Sequence, residues 1–325
     1  MIITQTPLRV SFLGGNTDFS EYYTKFGGMV LTTAIDKFVY CIVKARFDDL
    51  IIVNYTVKET VTRVDNLKHE LVREALKLLG IKRGIEISFL SDIPTRGTGL
   101  GSSSSVTVGV LKALHRYLGD DVDAEQLARE AIGIEVDILK KPIGVQDQYI
   151  VAFGGLRKIE FRKNGEVKID HIPLPGPLRE DFDNSLMLFY TGISRKSSSI
   201  LSTLNIKKNL PLLHKNMQLA NQGYEVLPKG NLVEFGQLLD DYWAIKKQLS
   251  GRISNEEIDN MYEMAMEAGA VGGKILGAGG GGFLLLMVPE NRRGEVREKL
   301  RTHKELPFML EKDGSKIIFN IRRYK

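Results

Sequence analysis

The stretch PTRGTGLGSSSSV, residues 94–106, places three glycines and four consecutive serines between an apolar run and a helical pattern. Glycines at 97, 99 and 101 let the backbone take positive φ and approach a ligand with no Cβ in the way. Gly97, Gly99, Leu100 and Gly101 lead into Ser102, Ser103 and Ser104, at the start of a helix running through Val106, Val110, Leu111 and Leu114. Unpaired amides and the positive end of a helix attract phosphate. The spacing is neither that of a GxxxxGK[ST] P-loop nor that of a GxGxxG dinucleotide loop. A bland alternative is that the serines only cap the helix. A second cluster, KILGAGGGGFLLL at 274–286, sets Gly277, Gly279, Gly280 and Gly281 between two strand-like segments. Successive glycines weaken a strand, so close backbone approach is their expected use, with a structural hairpin as the other reading.

Elements must hold these loops. LRVSFLGG, FVYCIVKARF and LIIVNY are β-branched or aromatic runs bounded by turn residues, and GIEISFL alternates like a strand before the serine loop. HELVREALKLLGI carries Leu71, Ala75, Leu78 and Leu79 at helical spacing and ends near Gly80. VTVGVLKALHRYLG and AEQLAREAIGIEVDILKK are two further helical patterns, and LRKIEFRKNGEVKIDHI is a hairpin turning at Asn164-Gly165. The prolines of PLPGPLREDFDN interrupt regular structure and suggest a domain boundary, giving domains 1–175 and 176–325. The second half runs from the strand SLMLFYTG through long helices to FLLLMV, and closes on the strand SKIIFNI. This β-α-β-β-α-β tendency predicts an α+β, ferredoxin-like second domain.

Composition narrows the function class. With 43% apolar and 26% charged residues over 325 positions, the chain reads as an ordinary globular protein. No run approaches the roughly 18 to 20 apolar residues of a membrane helix, and the first residues carry no secretory pattern. A single cysteine, Cys41, forms no internal disulfide, which suits a cytoplasmic setting. The net charge is +5, but basic residues are spread among acids, without the dense aromatic-laced run of a nucleic-acid groove. A mild positive excess suits a phosphorylated small molecule, with neither membrane nor nucleic acid as partner. Whether the chain is a monomer or a homodimer is open at this level.

A third stretch, TPLRVSFLGGNTDF, precedes the two glycine clusters, and the three in order resemble the motifs of the GHMP kinases (galactokinase, homoserine, mevalonate and phosphomevalonate kinases). The likeness spans nearly the whole chain. It implies a two-domain α+β fold, N-terminally like ribosomal protein S5 domain 2 and C-terminally ferredoxin-like, with ATP and Mg²⁺ used in the cleft. PLRVSFLGGNTDFSEYY and FYTGISRKSS bring it nearest to the sugar anomeric kinases. The implied reaction is phosphorylation of the anomeric hydroxyl of D-glycero-D-manno-heptose 7-phosphate to the 1,7-bisphosphate.

By the same resemblance, Ser103, with Ser104 as alternative, and Glu135 in IGIEVDIL would hold Mg²⁺. Asp147 in GVQDQYIVAFGG would accept or orient the sugar hydroxyl, faced by Arg9 of PLRVSF. Asp18 would bind sugar hydroxyls. Galactokinases carry GEHTDY where this chain has GGNTDF, so Gly15 and Asn16 argue against galactose and imply room for a bulkier sugar. Arg195, Lys196 and Ser197 of TGISRKSSS offer a clamp for an acceptor phosphate, or else a solvated helix start. Rival readings are another sugar 1-kinase, for fucose, a hexose or a uronic acid, and a non-catalytic ATP- and sugar-binding regulator. The family's decarboxylase branch has an acceptor pattern unlike GGNTD.

Overall fold

The chain is described by a computed structural model covering residues 1–94, 97–195 and 200–321. Two antiparallel-rich sheets organise it. The large sheet contains β1 (Ile2–Leu13), β2 (Gly28–Ala45), β3 (Ile51–Asn54), β4 (Lys58–Val61), β5 (Ile85–Ser91), β6 (Leu156–Phe161) and β7 (Val167–His171). The small one contains β8 (Leu186–Tyr190), β9 (Gly272–Ile275) and β10 (Phe283–Met287), in the order β8-β10-β9. A final strand, β11 (Lys316–Asn320), returns to pair with β1 in the large sheet.

Strand β2 is the spine. Its first half pairs with β6 (Gly28 opposite Phe161) and its second half with β5 (Val39 opposite Ser91), while β1 runs along its other edge. Its first half is buried on both faces, whereas in the second half buried Val39, Cys41 and Val43 alternate with partly exposed residues at the strand period. Helices α1 (Ser20–Phe26), α2 (Glu70–Leu78), α3 (Ser102–Leu118), α4 (Ala124–Ile132) and α5 (Gln146–Phe153) accompany this sheet. Helix α6 (Gly176–Ser185) leads to the small sheet, which is followed or flanked by α7 (Leu210–Val226), α8 (Leu232–Leu249), α9 (Glu256–Glu267) and α10 (Arg293–Lys299). The serine-rich α3 is positioned by both ends. Gly101 at its N-cap and Gly119 at its C-cap take φ of 77° and 107°, in the region an L side chain disfavours.

Three local expectations need correcting. Only residues 173–175 of the stretch PLPGPLREDFDN are irregular: Pro177 sits in the first turn of α6, where a missing N–H costs nothing. The helix buries Phe182 against Phe12 of β1 and Phe235 of α8, with ring centroids 5.5 and 5.7 Å apart, so it ties the large sheet to that helix. The terminal SKIIFNI does not join the small sheet. The edge of β8 is lined instead by the segment at 304–306, through Tyr190 N–H to Lys304 O (2.9 Å) and Leu306 N–H to Leu188 O (2.8 Å). Register decides this, since β11 alternates and fits a half-covered edge, whereas the β8 and β10 faces are buried on both sides. Finally, the single helix expected across AEQLAREAIGIEVDILKK is α4 followed by a π-helical turn, Gly133–Ile138. Such widened turns recur at functional sites because they re-aim a side chain. Here the turn carries Glu135.

Candidate active site

At the junction of the sheets, Arg9 on β1 meets Asp147 in the first turn of α5. Arg9 Nε donates to Asp147 Oδ1 at 2.7 Å and Nη2 to Oδ2 at 2.6 Å, a bidentate pair. The remaining Arg9 Nη1 donates to the Gly99 carbonyl, and the Arg9 amide donates to Leu100 O at 3.0 Å. The arginine is therefore buried and fully engaged, whereas the Asp147 side chain keeps 23% of its surface open. A carboxylate held from behind and open in front is suited to accept a hydroxyl proton or orient a hydroxyl.

Asp18 lies deeper, at 2% exposure. Its Oδ2 accepts from the Gln146 amide (3.2 Å) and from Gln146 Nε2 (3.0 Å). Its Oδ1 is buried and has no partner among the described residues. Burial, reinforced by the charge of Asp147, pushes its pKa up to about 6. Gly144 is obligatory beside it, since a Cβ there would collide with the Asp18 carboxylate.

The serine run resolves by helical period. Ser103 is exposed, while Ser102, Ser104 and Ser105 are buried. Ser103 Oγ donates to Glu135 Oε2 at 2.7 Å, and Gln148 Nε2 donates to Glu135 Oε1 at 3.3 Å. Glu135 is wholly buried, and desolvation raises its pKa against the pull of Lys141, whose Nζ lies 4.0 Å away. A buried, undercompensated carboxylate beside an exposed hydroxyl offers hard oxygens to a divalent cation, the donor type Mg²⁺ takes along with waters. Ser103 and Glu135 thus fit Mg²⁺. Ser104, facing inward, does not share that position.

The glycine clusters turn out to touch each other. A Cβ on Gly99 would sit 2.6 Å from Leu276 O, and one on Gly277 would sit 2.7 Å from the Gly99 Cα. Gly279 and Gly280 lie equally close to the Ile253 backbone and the Ile200 side chain, and Gly281 to Ile193 O. The close approach expected at 274–286 is therefore, at least in part, to the first loop and its neighbours.

The room expected at Gly15 is absent. A Cβ there would come within 2.5 Å of Tyr242 Oη, because α8 projects that tyrosine into the space. Asn16 is held at φ 71°, a conformation asparagine tolerates better than most residues. Arg195 is exposed, with its backbone against Gly97 and its Cδ near Gly280, so it stands between the two glycine loops. Lys196 and Ser197 lie outside the described residues.

Several contributors escaped the sequence reading. Gln146 and Gln148 bracket Asp147 and hold Asp18 and Glu135. Lys246 and Lys274 are both 2% exposed. The available signal was position: Lys246 falls on the apolar stripe of α8 formed by Leu239, Tyr242, Trp243 and Leu249, and Lys274 lies inside the apolar β9.

This architecture is shared with a class of small-molecule phosphotransferases. Residues 66–155 match the GHMP kinases N terminal domain and residues 224–306 the GHMP kinases C terminal. The chain is 30% identical to the D-glycero-alpha-D-manno-heptose 7-phosphate kinase of Campylobacter jejuni, over 97% of this chain and 98% of that one. It is 28% identical to the galactokinase of Pyrococcus furiosus over 92% of each. A crystal structure of a D-glycero-D-manno-heptose 1-phosphate kinase from Bacteroides thetaiotaomicron superposes with a TM-score of 0.83 at 25% identity, covering 99% of this chain and all of that one. The chain belongs to the GHMP kinase family and is a sugar kinase of the two-domain α+β type. Among the described residues no helix is long and apolar enough to cross a membrane.

Proposed function

We propose that this enzyme transfers the γ-phosphoryl group of ATP to the anomeric hydroxyl of D-glycero-D-manno-heptose 7-phosphate, yielding the 1,7-bisphosphate and ADP. The observation that carries the reading is the Arg9–Asp147 pair beside an unpartnered, buried Asp18 oxygen. Asp147 orients the acceptor hydroxyl and takes its proton as the oxygen bonds to phosphorus and the bond to the β-phosphate oxygen breaks. The Arg9 fork fixes both carboxylate oxygens, so the acid is in place before the acceptor arrives. The free Asp18 oxygen receives a second sugar hydroxyl. Loop amides at 97–101 and the N-terminus of α3 bind the nucleotide phosphates. Ser103 and Glu135 would hold Mg²⁺, which would supply charge neutralisation for the phosphate oxygens.

Similarity to the Campylobacter 7-phosphate kinase over nearly the whole chain supports the acceptor. A second reading, a heptose bearing its phosphate at position 1, is favoured by the name of the Bacteroides structure. In the first reading Arg195, with Lys196 and Ser197, holds the acceptor's distal phosphate. Residues 1–175 would then supply the phosphate loop and catalytic pair and 176–325 the second wall of the cleft, in a cytoplasmic enzyme. The buried Cys41 thiol suits that compartment.

The test is ADP release with Mg-ATP against heptose 7-phosphate, heptose 1-phosphate, mannose, fucose, galactose and glucuronate, with Asp147→Asn alongside. Turnover on heptose 7-phosphate, lost in the variant, is expected. Turnover confined to heptose 1-phosphate or to an unphosphorylated sugar would overturn the acceptor assignment and the Arg195 clamp.

A further inference from the structure

Lys246 stands in the last turn of α8, yet its ammonium reaches the second glycine loop. It donates to Ile275 O at 2.8 Å and to Gly277 O at 2.7 Å. No carboxylate pairs with it among the described residues, and burial pulls its pKa down to about 7, with Arg9 adding to the pull. A charge kept in such a place is costly, and the same stripe position would accept an apolar residue at lower cost. Lys274 is placed alike, donating to Ser11 O (2.8 Å) and Phe12 O (2.6 Å), and lies 4.1 Å over the Tyr242 ring. One lysine thus fastens β9 to β1, and the other fastens the chain leaving β9 to α8.

The contacts form one line. Lys246 holds Gly277 O; Gly277 lies against the Gly99 Cα; Gly99 O accepts from Arg9; Arg9 holds both oxygens of Asp147. Every link but the glycine contact is a hydrogen bond donated by a basic side chain, and the glycine contact allows no slack because a single Cβ would break it. We propose that Lys246 is a positioning residue, a latch that presses the second glycine loop onto the first and so fixes the Gly99 carbonyl that orients Arg9. It touches neither nucleotide nor sugar in this role. It sets where the catalytic pair stands, so its loss falls on turnover more than on acceptor binding. The proposal rests on Arg9 and Asp147 being the catalytic pair, and is independent of which sugar is phosphorylated.

Two readouts test it: amide hydrogen exchange of the ligand-free chain, and steady-state kinetics with whichever sugar of the panel is turned over. Leu276, Gly280 and Gly282 donate to Phe283, Ile253 and Ile193 carbonyls, and the Arg9 amide on β1 donates to Leu100 of the first loop, so the second loop and Arg9 carry the protected reporters. In Lys246→Met, peptides covering 275–283 and the Arg9 amide should exchange at least about tenfold faster, with the C-terminal half of α3 unchanged. Turnover should fall at least about tenfold, with the acceptor KM within about threefold. Lys246→Arg, which keeps the charge and the donors, should recover part of both. Lys247→Met, on the exposed side of the same turn, should change neither. Unchanged exchange of both the second loop and the Arg9 amide in Lys246→Met would overturn the latch, as would equal effects of the 246 and 247 variants. Should the methionine variant not fold, Lys246→Gln is read by the same criteria. A wild-type chain inactive on every sugar would count against the proposed acceptor alone, because the exchange result still decides the latch.

Discussion

Asp18→Asn should make the protein more stable and less active at once, and the pH dependence of the gain is the sharpest check on the site. Asp18 is buried, one oxygen is unpartnered among the described residues, and its pKa is raised from 3.8 to about 6. The folded chain therefore holds this proton more tightly than the unfolded chain does. With respect to this group, stability is highest below about pH 3.8, falls as pH rises, and the loss is complete above about 6. A rise from 3.8 to about 6 corresponds to roughly 3 kcal/mol. Asparagine removes the charge and keeps an acceptor for the two Gln146 donors, but leaves an amide where Oδ1 stood, at a cost of about 1 kcal/mol. The net expectation is a gain of about 2 kcal/mol at pH 8 that shrinks to near zero by about pH 4.5, as the wild-type acid takes up its proton. Urea unfolding of both chains at several pH values reads this directly as shifts in midpoint at constant slope. Phosphoryl transfer by the variant should drop at least about 100-fold, because a sugar hydroxyl loses its charged acceptor. An Asp18→Asn chain less stable than wild type at pH 8, or a gain independent of pH, would refute the claim that Asp18 is an ionised group stored at a cost for a ligand.

Arg9→Lys keeps the charge but not the fork to Asp147, so turnover should fall about 100-fold; an active lysine variant would dismiss the need for bidentate positioning. Glu135→Gln should raise the Mg²⁺ concentration for half-maximal activity at least about tenfold, read by metal titration at fixed ATP. Gly99→Ala meets Leu276 O and adopts φ near 75°, so it should destabilise by about 2 kcal/mol or more and weaken ATP binding, read by denaturation and by nucleotide titration. Phe182→Ala should cost about 3 to 5 kcal/mol in denaturation, since its ring fills the junction between Phe12 and Phe235.

Much of the frame was legible because it rests on local periodicity. The strands around Arg9, the hairpin at 164–165 and the helix after the serine run follow from alternation, an Asn-Gly turn and glycines at both helix ends. The helix at 176–185 was missed because proline was taken as a breaker in general, whereas in a first helical turn it is accommodated. The last strand was assigned to the nearer sheet because sequence order carries no information on which edge is free.

For the site, the residue types alone pointed to an anion loop, and the resemblance named partners for it. Sequence by itself thus determined the glycine conformations, the amphipathic faces and the family. Tertiary structure alone decided which serine faces outward next to Glu135 and that Tyr242 fills the space above Gly15. It alone brought the two glycine loops into contact and buried two lysines at their hinge. The reason is physical: backbone preference and periodicity act over a few residues, whereas desolvation and close packing depend on segments some 90 to 260 positions apart, such as Gly99 with Arg9 and Lys274 with Phe12.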